Sequence, residues 1–245
     1  MISGVFCLAL LFAHPHVRAS RPTVQPLTAQ DQSQGGSGAG SAEVAPLSFK
    51  YKFENVRFYV PLIEIELAGD GTGAVHFKEG ESDDVIDRQV KLLPATVQTI
   101  TDLVKRCSFL SSSEDYQDKK DFSHLGWMTI TVSQGASHRT VRFNYTINRE
   151  MKQLAEIFRA IGDQAIDLFD MDVAIQHEPL DLPHRLEALE DDLSLGRLAE
   201  PEQLIPALRA MSEDDTNPLI ARNQAKRIIA AIQKGKYKSP VKLTR

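Results

Sequence analysis

Cysteine is almost missing from this chain of 245 residues: Cys7 and Cys107 are the only two. Cys7 lies in the apolar run 5–13 (VFCLALLFA), which has the form of the hydrophobic part of an export signal. The processed chain would therefore keep Cys107 alone and could close no internal disulfide, even in a compartment that permits one. Cys107 sits on an apolar helical stripe and reads as a small core residue rather than a nucleophile. Long apolar runs are lacking too. Residues 5–13 fall well short of the roughly 20 needed to span a bilayer, so no integral membrane span is expected in the mature chain.

Acidic residues are absent from the end of the chain. After Asp215 come only cations: Arg222, Lys226, Arg227, Lys234, Lys236, Lys238, Lys242 and Arg245. They read as a solvated helix whose cations offset its C-terminal dipole, or else as a surface for an anionic partner. Tyr237 is the one aromatic residue among them, and the whole chain carries a net charge of −5, so no nucleic-acid partner is expected. Catalytic signatures are missing as well. There is no Gly-x-Ser-x-Gly elbow, no Walker loop, no His-Glu-x-x-His and no dinucleotide glycine fingerprint. Gly69, Gly71 and Gly73 do alternate, but a strand follows them where a phosphate cradle needs a helix N-terminus, so they read as a tight turn.

What is present is an ordinary globular composition, 42% hydrophobic and 25% charged. After the apolar run, Val17 and Ala19 occupy the −3 and −1 positions of a small-residue cleavage pattern, which predicts a signal peptide over 1–19 and an exported, periplasmic or secreted protein. Residues 20–46 are rich in Ser, Gly and Gln without apolar periodicity. They read as a disordered linker.

An α+β domain is expected over 47–172. Phe49, Tyr51 and Phe53 alternate with Lys50, Lys52 and Glu54, and Ile63, Ile65 and Leu67 with Glu64 and Glu66, as strands with one wet face do. Val75 and Phe77 return after the glycine turn to complete a hairpin, and a polar loop is expected over 79–87. Pro94 opens a helix with Val97, Ile100, Val104 and Cys107 on one face. A second hairpin is predicted from 127–132 and 139–145, with Met128, Ile130, Val132, Val141, Phe143 and Tyr145 facing inward. Asn148 then caps a second helix whose stripe is Met151, Leu154, Phe158, Ile161, Ala165 and Leu168. Two hairpins plus an N-terminal strand, with two helices on one face, make an antiparallel α+β layer. In layout, residues 48–165 resemble uncharacterised bacterial exported domains that place a helix between an Asp-Gly turn and a second hairpin.

Pro179 and Pro183 predict an extended linker over 173–184, followed by an all-α extension over 185–238. Its stripes are Leu186, Leu189 and Leu193, then Leu204, Leu208 and Met211, then Ala221, Ala225, Ile228, Ile229 and Ile232. The last two helices, joined through an Asp turn and Pro218, resemble one HEAT-type repeat, which implies a protein-binding role. The alternative is a helical hairpin that closes the α+β core.

Two groupings carry candidate chemistry. Asp115, Asp118, Asp121 and His124 recur at three-residue spacing and are the candidate metal ligands, although the closing Glu and the turn Gly of an EF-hand are missing. Asp170, Asp172, His177, Glu178, Asp181 and His184 gather between the sheet part and the helices, where acid, base or ligand roles are chemically open. No catalytic residue and no cofactor site is assigned. The expectation is a non-catalytic interaction module whose partner is another protein; a metal-dependent hydrolase using the Asp and His groupings, and a structural accessory domain of the cell envelope, are the alternatives.

Overall fold

The computed structural model describes residues 45–241, all of which fall within one compact unit. The expected signal peptide, nearly all of the expected linker, and Lys242 and Arg245 lie outside the described residues. Strands β1 (Leu47–Glu54), β2 (Leu62–Ala68), β3 (Thr72–Lys78) and β4 (Ile86–Lys91) form a meander. Helix α1 (Pro94–Arg106) then carries the chain to β5 (Trp127–Gln134) and β6 (Ser137–Phe143) on the far side of β1. The resulting six-stranded sheet has the order β4-β3-β2-β1-β5-β6, and every neighbouring pair is antiparallel. As the alternation predicts, Phe49, Tyr51, Phe53, Ile63, Ile65, Val75 and Phe77 are buried on one face. The other face is wet, and ion pairs such as Lys50–Glu66 (2.8 Å) and Lys52–Glu64 (3.1 Å) cross it.

The meander's tight turn depends on Gly71, whose φ of +82° is available cheaply only to glycine and whose missing Cβ leaves room for Val97 of α1. The polar loop expected over 79–87 is shorter than the sequence implies, because β4 begins at Ile86. This edge strand hides its period. Its inward positions are Ile86, Arg88 and Val90, and Arg88 is spent on an ion pair with Asp172 (2.6 Å) rather than on apolar contact.

Helix α2 (Arg149–His177) is 29 residues long and is N-capped by Asn148, whose Oδ1 accepts from the Met151 N–H at 2.9 Å. Its first half buries Met151, Leu154, Phe158, Ile161 and Ala165 against the sheet, and its second half buries Met171 and Ala174 in a separate cluster. The extended linker expected over 173–184 is therefore absent. Residues 173–177 complete α2, and Pro179 and Pro183 occupy the first turns of a short 3-10 helix and of α3 (Leu182–Leu195), where a missing N–H costs nothing. Helices α4 (Ile205–Glu213) and α5 (Leu219–Gln233) follow, and the three predicted stripes are buried together with Met171 and Ala174, except Ile229, which is partly buried against them.

The helical part is not a separate appendage. Ala199 belongs to the sheet-side core, Val241 packs against it, and the Ser239 hydroxyl donates to the Ala199 carbonyl at 2.6 Å. Among the described residues, no helix is long and apolar enough to cross a membrane.

Candidate functional site

One end of the sheet is unlike the rest of the molecule. There β1 stops, β5 starts, and β6 ends at Phe143 rather than continuing to Tyr145 as the pattern predicts. The cause is Asn144, which is buried and works as a polar hub. Its N–H donates to Gln117 Oε1 (2.8 Å), its Oδ1 accepts from Gln117 Nε2 (3.0 Å) and from the Phe122 N–H (3.1 Å), and its Nδ2 donates to Asp121 Oδ1 (2.7 Å). Capture of Asn144 by the 117–122 segment pulls the chain off the sheet and turns Tyr145 outward against Phe122, at 4.7 Å between ring centroids.

The gap this leaves between the sheet and α2 is a cavity of about 270 Å3. Tyr51, Phe53, Met128, Phe143, Ala155 and Arg159 line it, with Leu125, Tyr145, Lys152 and Glu156 also contributing. Gly126 keeps its wall tight: its φ is +100°, and a Cβ there would lie 2.5 Å from the Phe53 ring. The Arg159 guanidinium rests 4.2 Å from the centroid of Phe53, held by its Nε donating to Asp163 Oδ1 at 2.9 Å. Tyr51 stacks on Phe158, with centroids 5.4 Å apart. Tyr51 is only 2% exposed, yet its hydroxyl has no hydrogen-bond partner. Burial holds that phenol well above its ordinary pKa, so it remains a donor without an acceptor. Leaving such a group unpaired costs about 1–3 kcal/mol.

A second, more polar cavity of about 420 Å3 adjoins the first on the other side of the 123–126 turn. Glu54, Arg57, His124, Trp127 and Arg142 line it, and the Arg142 guanidinium stacks on Trp127 at 4.2 Å. The segment between is fastened by Asn55, whose Nδ2 donates to the His124 carbonyl at 3.0 Å.

The candidate metal ligands do not converge. Asp115, Asp118 and Asp121 each accept from a backbone N–H two residues on, those of Gln117, Lys120 and Ser123, and so close three successive side-chain turns. His124 is exposed beside Phe122. Among the described residues, no three His, Cys, Asp or Glu side chains are grouped to hold a metal ion. The repeat of three is a device of loop folding, since an Asx turn spans the same short distance as the spacing.

The second grouping is also dispersed. Asp170 and Asp181 clamp Arg185 at 3.0 and 2.9 Å, Asp172 pairs with Arg88, His184 lies 3.7 Å from Glu187, and His177 and Glu178 are exposed. Glu79 adjoins the clamp, and its carboxyl is pushed up to about 7 by burial and by the charge of Asp170. These residues tie α2 to α3 and to the sheet edge. Cys107 is buried, and desolvation pushes its thiol up to about 11, so it offers no thiolate at neutral pH.

Neither Asn144 nor Arg159 stands out in the sequence. Tyr51 is there indistinguishable from Phe49 and Phe53, because a period-two pattern reports the face a side chain takes and not whether its hydroxyl finds a partner. No protein-family model and no curated protein sequence matches the chain.

Proposed function

We propose that the protein is an exported, non-catalytic interaction module that meets a partner protein, in the periplasm or outside the cell, with the cavity end of its sheet. The observation that carries this reading is where the exposed apolar surface lies. Half of the large hydrophobic side chains exposed among the described residues, namely Val56, Phe58, Tyr59, Leu125, Tyr145 and Ile147, belong to the loops at that end. Apolar groups gathered at one place on a surface mark contact sites, and Trp and Arg, which stack here as Trp127 and Arg142, are residue types enriched at the centre of interfaces. Among the described residues, the aspartates of both groupings are committed to turns and ion pairs, and the histidines do not gather with them.

The test is site-specific photo-crosslinking in the producing cell, with the reactive group placed at Leu125 or, on the helical part, at the exposed Leu219. The reading expects one partner captured from position 125 and lost on Ile147→Asp. Capture from position 219 alone would move the interface to the helices. The export half rests on the N-terminal pattern and expects the protein recovered in that experiment to begin near Ser20 by mass spectrometry, whereas an intact Met1 on a cytosolic species overturns it.

A further inference from the structure

Independently of any protein partner, we infer that the cavity between the sheet and α2 is a binding site for a small amphipathic carboxylate, an acyl chain with a single acid group. Four observations define the occupant. First, the lining is dominated by Phe53, Met128, Phe143 and Ala155, which match a hydrocarbon body. Second, the volume of about 270 Å3 falls just below the range of about 300–1,000 Å3 typical of sites for drug-sized ligands, which selects a short chain. Third, the charged side chains around the cavity are Lys152, Glu156 and Arg159; Lys152 lies 3.9 Å from Glu156, whereas Arg159 gives its Nε to Asp163 and keeps the two terminal nitrogens of its guanidinium for an acid group. Fourth, the Tyr51 hydroxyl is a buried donor that the protein itself leaves without an acceptor.

These features fit one pose. The acyl chain covers Phe53, Met128 and Phe143, and the acid group pairs with Arg159 and accepts from the Tyr51 hydroxyl, since Tyr51 and Arg159 both line the cavity; the charges of Arg159 and of its partner Asp163 both reach the phenol. That hydroxyl is sealed from water. Entry of the ligand therefore involves Arg159 turning off the Phe53 ring, a movement open to a side chain that is one-third exposed and anchored through Nε alone to Asp163. The carboxylate then supplies the acceptor that the fold omits, and the bond to Tyr51 forms where water cannot compete.

The experiment titrates the full chain with octanoate by calorimetry and by NMR of the methionine methyl groups, with octanol and octylamine as probes lacking the acid. Octanoate is expected to bind and to shift the Met128 methyl, with octanol about tenfold weaker and octylamine inert. Tyr51→Phe should fold with unchanged or raised thermal stability and lose about tenfold in octanoate affinity; Arg159→Gln should lose at least as much. Ala155→Leu, which fills the cavity from α2, should abolish binding. Equal affinity of Tyr51→Phe for octanoate, equal affinity of the unaltered protein for octanol, or no Met128 shift at saturating octanoate would each overturn the assignment. Failure of the crosslinking from Leu125 leaves every one of these readouts unchanged, so the two readings fail separately.

Discussion

Glu200 shows how much a single buried side chain can decide. It is 3% exposed, and its Oε1 accepts from the Leu93 N–H at 2.8 Å across a separation of 107 residues. Leu93 is the N-cap of α1 and offers no capping side chain, so the carboxylate of a distant residue fills that role at the positive end of the helix. Gln203 donates to the second carboxylate oxygen, and the Glu200 N–H donates to Gln164 Oε1 of α2 at 2.8 Å. Glu200→Ala should therefore cost about 1–3 kcal/mol in urea denaturation, the cost of a capping acceptor lost from a buried backbone N–H. Glu200→Gln keeps an acceptor at Oε1 and should lose less. If the two variants match the unaltered protein, the cap contributes nothing. None of this is legible in the sequence, where Glu200 stands as one acid in an acidic stretch and the geometry that makes it a cap is supplied by α1.

At the scale of the element, α2 carries a run of acids, Asp163, Asp167 and Asp170, along the side that α3 covers. Asp163 is paired with Arg159 and Asp170 with Arg185, and Asp192 of α3 is paired with Arg197. Asp167 has no such partner: its Oδ2 is buried without a hydrogen bond, and burial, with the charges of Asp192, Asp163 and Asp170 added, pushes its carboxyl up to about 8. A carboxyl whose folded pKa is raised from 3.8 to about 8 holds its proton in the folded state and loses it in the unfolded state between those values. Stability must then fall as pH rises through that window. Glu79, raised to about 7, acts in the same direction. The drop between pH 5 and pH 8 should be on the order of 1–3 kcal/mol by urea denaturation, and Asp167→Asn should remove most of it while raising stability at pH 8. A variant with the same pH slope as the unaltered protein would place the effect elsewhere. The helix itself was readable from Asn148 and its apolar stripe. Its length was not, because Pro179 and Pro183 signal a break without saying whether the chain beyond it is extended or starts a new helix.

At the scale of the whole molecule, two hydrophobic clusters share one spine. The sheet, α1 and the first half of α2 enclose the larger, and the second half of α2 with α3, α4 and α5 encloses the other. Division of the chain at 172 and 185 suits the change in composition, but the packing crosses it through α2, Glu200, Ser239 and Val241. A chain ending at Leu182 would expose Met171 and Ala174, uncap α1 and remove Ala199 from the first core. It should be insoluble or lack fixed tertiary structure by near-UV circular dichroism, and a truncated chain with native spectra and a sharp transition would show that the helices are dispensable. The full chain should unfold in a single transition, with fluorescence of Trp127 on the sheet coinciding with the helical signal.

The sequence by itself determined the class of this fold and most of its elements. The period-two alternation of Phe49, Tyr51 and Phe53 and the helical stripes from Met151 to Ile232 record which face of each element leaves water, and that property is local to a few consecutive residues. Only the tertiary structure decided the rest: that Arg88 makes a charged strand into a sheet edge, that the three aspartates before His124 fold a loop rather than gather round an ion, that Asn144 opens a cavity, and that Tyr51 is left in its wall without an acceptor. The physical reason is that a polar group takes its role from the partners that folding leaves it, and for Arg88, Asn144 and Glu200 those partners stand tens of residues away.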